Sequence, residues 1–172
     1  MRIEKRSPMT DLSRVWGNLW STPVSDRAKS DWYTTIHDIV PTRERLHNIN
    51  LTQSAKCTRC NGTDTLSHRI MECGTGPQLW SWTREKIATI MRIAPRWVPE
   101  SWLFRPSFRI WPAKKCRAVL WLLACLVEHR TGRGASVTLQ EYLEVLARTR
   151  WRLYRQSDGQ SLVGNYLSVM DG

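Results

Sequence analysis

Three cysteines and a histidine, spaced Cys57-x2-Cys60-x7-His68-x4-Cys73, limit this chain more than any other pattern in it. Two thiols in a tight turn are followed by an imidazole and a third thiol. Zn²⁺ favours four tetrahedral sulfur and nitrogen donors, and Cys3His is one of its usual structural sets. The two-residue gap between Cys57 and Cys60 lets both sulfurs face one ion. The four-residue gap between His68 and Cys73 brings imidazole and thiolate together over little more than a helical turn. Four protein ligands leave no position for water, so the site reads as structural. A CxxC pair alone can instead be a redox motif. Such a pair usually opens a helix after a strand, and nothing strand-like precedes Lys56. The other alternative is chance placement of the last two ligands.

The charge suggests the class of partner. Lys and Arg number 26 against 15 Asp and Glu, a formal net charge of +11, which favours a polyanion such as nucleic acid or an acidic membrane surface. A basic surface that binds nothing is the plain alternative. The 172 residues suffice for one domain or about one and a half, and the 41% hydrophobic content supports a buried core. Most of the ten tryptophans are expected in that core, with one or two left to stack on bases. The count of five cysteines is odd, and residues 1–10 are charged rather than apolar, so an intracellular, nuclear or cytoplasmic, non-secreted protein with reduced thiols is expected. Cys116 and Cys125, nine positions apart on one helix, fall on opposite faces and should not pair. The longest apolar run, around 118–127, is too short to span a bilayer.

The periodicity predicts a mainly α fold: a small helical domain organised around the knuckle, followed by a helical C-terminal part. Ser7 and Pro8 suggest a helix start, with Leu12, Val15, Trp16, Leu19 and Trp20 following at helical spacing to an end near Ser21–Pro23. A second helix opens at Ser25 or Asp26, shows Ala28, Trp32, Ile36, Ile39 and Val40 inward, and stops at Pro41. Thr42 to Leu46 suggests one more turn, with Arg43 and Arg45 facing solvent. Asn61 and Gly62 are turn residues. Thr63, Asp64 or Thr65 can cap a short helix carrying His68, which Gly74 ends. Gly76 and Pro77 open a helix with Leu79, Trp80, Thr83, Ile87, Ile90 and Met91 on one side. Residues 95–112 read as an ordered loop with a short strand around Ser107–Ile110. Pro112 starts the most apolar helix, running to about Arg130. Thr138 and Glu141 form a capping box, with Val137 and Tyr142 as its staple. Leu139, Tyr142, Leu143, Leu146 and Leu153 form the stripe of the last helix. The implied division is 10–93 for the metal domain, 94–112 for a connector, 113–156 for a helical pair and 157–172 for a weakly ordered tail.

Catalytic signals are sparse. Two-metal polymerases and nucleases need clustered carboxylates, and here the acids are scattered. Neither a phosphate-cradling Gly-rich loop nor a nucleophile elbow is present. The nearest thing to a nuclease signal is Pro99-Glu100, followed far downstream by Glu128-x-Arg130 at a helix end rather than on a strand. His37, His47 and His129 are most simply surface or core polar groups.

The residues around the knuckle resemble the zinc-binding segment that follows the polymerase domain in reverse transcriptases of non-LTR (LINE-type) retrotransposons. That pattern has an aromatic-rich helix, a Pro-Thr-x-x-x-Leu turn, C-x2-C, an acidic residue with Thr shortly before His, then Cys and a later Trp. Here the elements are Trp32-Tyr33, Pro41-Thr42 through Leu46, Cys57 and Cys60, Asp64-Thr65, His68, Cys73 and Trp80. The wider segment from about Val15 to Met91 resembles elements of arthropod genomes, and the remainder resembles the tail of the same polyprotein. The middle gap of seven is longer than in a retroviral nucleocapsid CCHC knuckle. The resemblance implies a C-terminal fragment, a separate gene piece or a remnant of an RNA-directed DNA polymerase from a transposable element, without the polymerase carboxylates or an endonuclease domain.

The resulting expectation is a non-enzymatic, Zn²⁺-stabilised module with Cys57, Cys60, His68 and Cys73 as ligands. It would hold RNA or DNA through backbone phosphates, with no membrane and no small-molecule substrate. Arg43, Arg45, Lys56, Arg59 and Arg69 are the candidate phosphate contacts at the knuckle. Arg148, Arg152 and Arg155 form a second candidate face on the last helix. The alternative is a structural or protein-interaction module docking on the polymerase domain; a minimal nuclease is the remote one.

Overall fold

The computed structural model describes residues 12–22, 24–106, 113–131 and 138–156. These residues are mainly helical and contain no strand, only one isolated antiparallel bridge between Lys56 and Thr63. Helix α1 (Leu12–Ser21) precedes α2 (Asp26–Ile36), which starts where Ser25 Oγ accepts the Ala28 amide at 3.0 Å. The helix start expected at Ser7 and Pro8 lies outside the described residues. Trp32, fully buried on α2, donates its indole N–H to Leu103 O at 2.8 Å.

Helix α2 ends at Ile36, short of the proline stop. Asp38 turns left-handed (φ 53°), the Ile39 amide reaches back to Thr34 O at 2.9 Å, and the Asp38 amide bonds Thr35 O at 3.1 Å. This is a Schellman closure with Asp in the position usually taken by glycine. Ile39 is therefore exposed, and Thr35 takes the inner place expected of it. Helix α3 (Arg43–Asn48) follows, with Thr42 Oγ1 accepting the Arg45 amide at 3.2 Å.

Helix α4 (Gly76–Met91) ends at left-handed Arg92 (φ 57°). A 3-10 turn (Pro95–Trp97) and the short α5 (Ser101–Phe104) fill much of the stretch read as loop, and Val98 and Leu103 are buried there. The strand suggested around 107–110 lies outside the described residues.

Helix α6 (Ala113–Thr131) lies chiefly against α2 and α4. It buries Cys116 and Cys125 on opposite sides, together with Val119, Leu120, Leu122, Leu123, Leu126 and Val127. A helix apolar around most of its circumference needs cover on several sides, and α1, α2, α4 and α5 supply it. None of the described cysteines forms a disulfide.

Helix α7 (Leu139–Gln156) packs on α4. Its capping box is reciprocal: the Glu141 amide donates to Thr138 Oγ1 at 3.2 Å, and the Thr138 amide to Glu141 Oε2 at 2.8 Å. Tyr142 and Leu146 are fully buried. Val137, the Leu153 side chain and the tail 157–172 lie outside the described residues. One hydrophobic core runs from Leu19 to Leu146. Trp32 and Trp80 are within it, and Trp16, Trp82, Trp102 and Trp121 pack against it. Trp20 and Trp97 are 57% and 64% exposed. No described helix is long and apolar enough to cross a membrane.

Candidate metal centre

Two short pieces of chain deliver the four donors. The first is a hairpin-like turn. Its amides at Asp64 and Cys57 donate to Ala55 O and Gly62 O at 2.9 and 2.7 Å. At its tip the Asn61 amide donates to Cys57 O at 3.1 Å. Asn61 adopts the left-handed conformation (φ 60°) that Asn tolerates better than most residues. This folds Cys57 and Cys60 back toward one point.

The second piece starts at Thr65, whose Oγ1 accepts the His68 amide at 2.9 Å. It continues as a π-turn (His68–Glu72) closed by the Cys73 amide on His68 O at 2.8 Å, a five-residue step. In an α-helix, residues five apart point about 140° away from each other. The wider π-turn, with Cys73 leaving in extended conformation and Gly74 left-handed (φ 58°), lets the imidazole and thiolate converge. The sequence indicated a short helix here but not its π character.

The donor atoms of Cys57, Cys60, His68 and Cys73 all lie within 4.8 Å of one another. Cys57 Sγ is 3.6 Å from Cys73 Sγ, which is 3.9 Å from Cys60 Sγ. Cys60 Sγ is 3.2 Å from His68 Nε2. Metal–sulfur bonds of about 2.3 Å at tetrahedral angles place sulfurs roughly 3.8 Å apart. The cage thus has the size and donor chemistry of a closed four-coordinate site. Glu72 Oε2 is 3.6 Å from His68 Nδ1, and Ser67 Oγ donates to the other Glu72 oxygen at 3.1 Å. A carboxylate on that side favours the Nδ1–H tautomer and leaves Nε2 to the ligand cluster.

The thiols differ in their readiness to ionise. Burial alone would raise Cys57, but the amides of Arg59 and Cys60, with His68 and Cys73, outweigh it and bring it down to about 6. Burial and the adjoining Cys57 and Cys60 sulfurs push Cys73 up to about 11. Three sulfurs this close resist ionising together unless a cation joins them.

The cations expected to meet phosphates fall into different environments. Arg45, Lys56 and Arg59 are exposed, and the Arg45 guanidinium also donates to Asp38 O. Arg43, expected to face solvent, is half-buried, and its amide donates to Asp64 Oδ2 at 2.9 Å. Arg69 is committed to Asp64 through contacts of 2.6 and 3.3 Å. The Asp64 carboxyl is held below its ordinary value: burial works against this, but the Arg69 guanidinium and the Arg43 amide prevail. Arg148 is exposed and pairs with Glu144 at 3.9 Å; the Arg152 and Arg155 side chains lie outside the described residues.

None of the other described histidines joins the donor cluster. His37 stacks on Trp16 with ring centres 5.3 Å apart, His47 is exposed, and His129 lies 5.2 Å from the Tyr142 ring. Glu128 accepts the Ser25 hydroxyl at 2.8 Å, and Glu100 is exposed at the turn before α5.

Sequence reasoning named Arg130 only with Glu128 and as a helix end, and missed its place beside the donor cluster. Its residue is 1% exposed, and its guanidinium holds the main chain of the π-turn. Nη2 donates to Cys73 O and Arg69 O at 2.6 and 2.8 Å, Nε to Ile70 O at 3.1 Å, and Nη1 to Thr75 Oγ1 at 3.4 Å. A signal was available: Arg130 continues the stripe of Val119, Leu123 and Leu126, so a charge stands where an apolar residue is due.

Residues 3–80 match the family model described as zinc-binding in reverse transcriptase. This segment is similar to the zinc-binding region of reverse transcriptases. The match covers a little under half of the chain and contains all four donors. It ends inside α4, so α5, α6 and α7 lie beyond it. No curated protein and no solved structure matches significantly.

Proposed function

We propose that the chain is a Zn²⁺-stabilised nucleic-acid-binding module of the kind found in non-LTR retrotransposon reverse transcriptases, and that it catalyses no reaction itself. The observation that carries this reading is the closed Cys3His cage inside the segment that matches the zinc-binding family. Cys57, Cys60, His68 and Cys73 hold the ion, which supplies a structural cross-link between the hairpin-like turn and the π-turn. With its ligand positions filled by protein, the cage has no place for a reactive water.

Binding rests on charge. The net +11, the exposed Lys56 and Arg59 beside the ligands Cys57 and Cys60, and the exposed Arg45 on α3 favour a phosphate backbone over particular bases. Retention of a duplex on a native gel should fall steeply with salt, each phosphate contact adding roughly 0.9 to the log–log slope. Replacing Lys56 and Arg59 together by Gln should lower that slope by about two. Binding that is indifferent to salt, or a slope unchanged in the double variant, would count against the proposal.

A second reading has the module docking on a polymerase domain. The exposed aromatic rings Trp20, Tyr33 and Trp97 favour it, since large aromatics supply much of the anchoring at protein interfaces. If replacing Trp20 and Trp97 by Ala releases a co-expressed polymerase domain while the Lys56 and Arg59 double variant keeps nucleic acid, this second reading replaces the first.

A further inference from the structure

We infer that Arg130 is a positioning residue of the metal centre, so that the cage is completed by a helix lying outside the segment that resembles zinc-binding regions. This inference rests on the proposal that the four donors bind Zn²⁺. The π-turn brings His68 and Cys73 together, but the carbonyls of a helix's last turn lack partners within it. Arg130 reaches in from the last turn of α6 and takes the carbonyls of Arg69, Ile70 and Cys73.

The geometry is specific to a guanidinium. Its planar fork presents several N–H donors in fixed directions, whereas a lysine ammonium is a single point on a flexible stem. Nη2 bridges Arg69 O and the carbonyl of the ligand Cys73 itself, while Nη1 reaches Thr75 beyond left-handed Gly74. The chain on both sides of Cys73 is thereby fixed against α6. That sets the direction of the Cys73 Cα–Cβ bond relative to the imidazole of His68. The charge suits the site as well. Three thiolates and a neutral imidazole around Zn²⁺ carry a net −1, and a buried cation bonded to the backbone of one ligand offsets it.

The test uses the full chain and three proteins: wild type, Arg130→Lys, and Val119→Ala as a control for general loss of packing in α6. Zinc affinity is measured by competition with a chromophoric chelator. Cage geometry is read from the visible absorption of the Co²⁺-substituted protein, and folding from helical circular dichroism. Outer partners of metal ligands typically cost roughly 10–100-fold in affinity when changed. Arg130→Lys should show a loss of that size and an altered Co²⁺ band pattern while remaining helical. Val119→Ala should melt earlier yet keep the wild-type Co²⁺ spectrum. Wild-type affinity and spectrum in Arg130→Lys would overturn the inference. So would an identical spectral change in both variants, or failure of Arg130→Lys to fold at saturating zinc, since each assigns Arg130 to core packing alone. A wild-type chain without stoichiometric zinc defeats the underlying proposal instead, and is recognised before any variant is compared.

Discussion

Gly76 shows how little room the metal turn leaves. A Cβ added there would lie 2.8 Å from the Met71 carbonyl carbon and 2.9 Å from its oxygen, both main-chain atoms. Gly76→Ala should cost about 1–3 kcal/mol, the usual range for forcing atoms into a packed site, as read from denaturant unfolding of the zinc-loaded protein. Asp64 makes a second local prediction. Its carboxylate holds Arg69 and the Arg43 amide, joining the hairpin-like turn to α3 and the π-turn. Because its folded pKa lies below the ordinary 3.8, its stabilisation is complete above about pH 4 and is lost as acid titrates through the lowered value. Asp64→Asn should lose about 2 kcal/mol at neutral pH and show a flatter acid limb below pH ~4. Equal pH dependence in the two proteins would show that the carboxylate contributes nothing there. The four donors themselves were legible from their spacing. Arg69 and Arg43 were not, because a sequence records their charge but not the carboxylate that folding places beside them.

Helix ends divide into those set by local chemistry and those set by packing. The start of α7 belongs to the first kind, since Thr138 and Glu141 satisfy each other's amides within one turn. Thr138→Ala should therefore cost about 1 kcal/mol, measurable in urea unfolding without loss of zinc. The end of α2 is of the second kind: proline is a visible stop, whereas a left-handed Asp38 is an uncommon choice that depends on Thr34 and Thr35 carbonyls waiting in the right place. The π-turn was invisible for a related reason. Its five-residue step goes with the approach of His68 to Cys73 and with carbonyls bonded by the distant Arg130, neither of which is a local propensity.

On the proposed function, metal binding and folding are coupled across the whole molecule. A chelator should lower the melting temperature and loosen the hairpin-like turn, and added zinc should restore both. Protons compete with the ion for sulfur, and Cys73, pushed up to about 11, has the most to release. Zinc affinity should therefore tighten as pH rises from about 6 to about 8, with protons released on binding that calorimetry in buffers of different ionisation enthalpy will count. An affinity flat across that range would mean the thiols are not the ligands.

Taken alone, the sequence determined the helical class, the donor set, the capping box and the surplus of positive charge. The donor set and the capping box follow from spacing along one short stretch each, and the class and the charge from periodicity and composition along the chain. Tertiary structure alone decided which arginines face solvent, that the most apolar helix is enclosed by four others, and that Arg130 in its last turn bonds the carbonyls of the π-turn. Those outcomes depend on which groups meet once the chain is folded, from Arg69 and Asp64 five positions apart to Arg130 and Arg69 sixty-one apart, and a buried guanidinium is tolerable only where folding has assembled carbonyls to receive it.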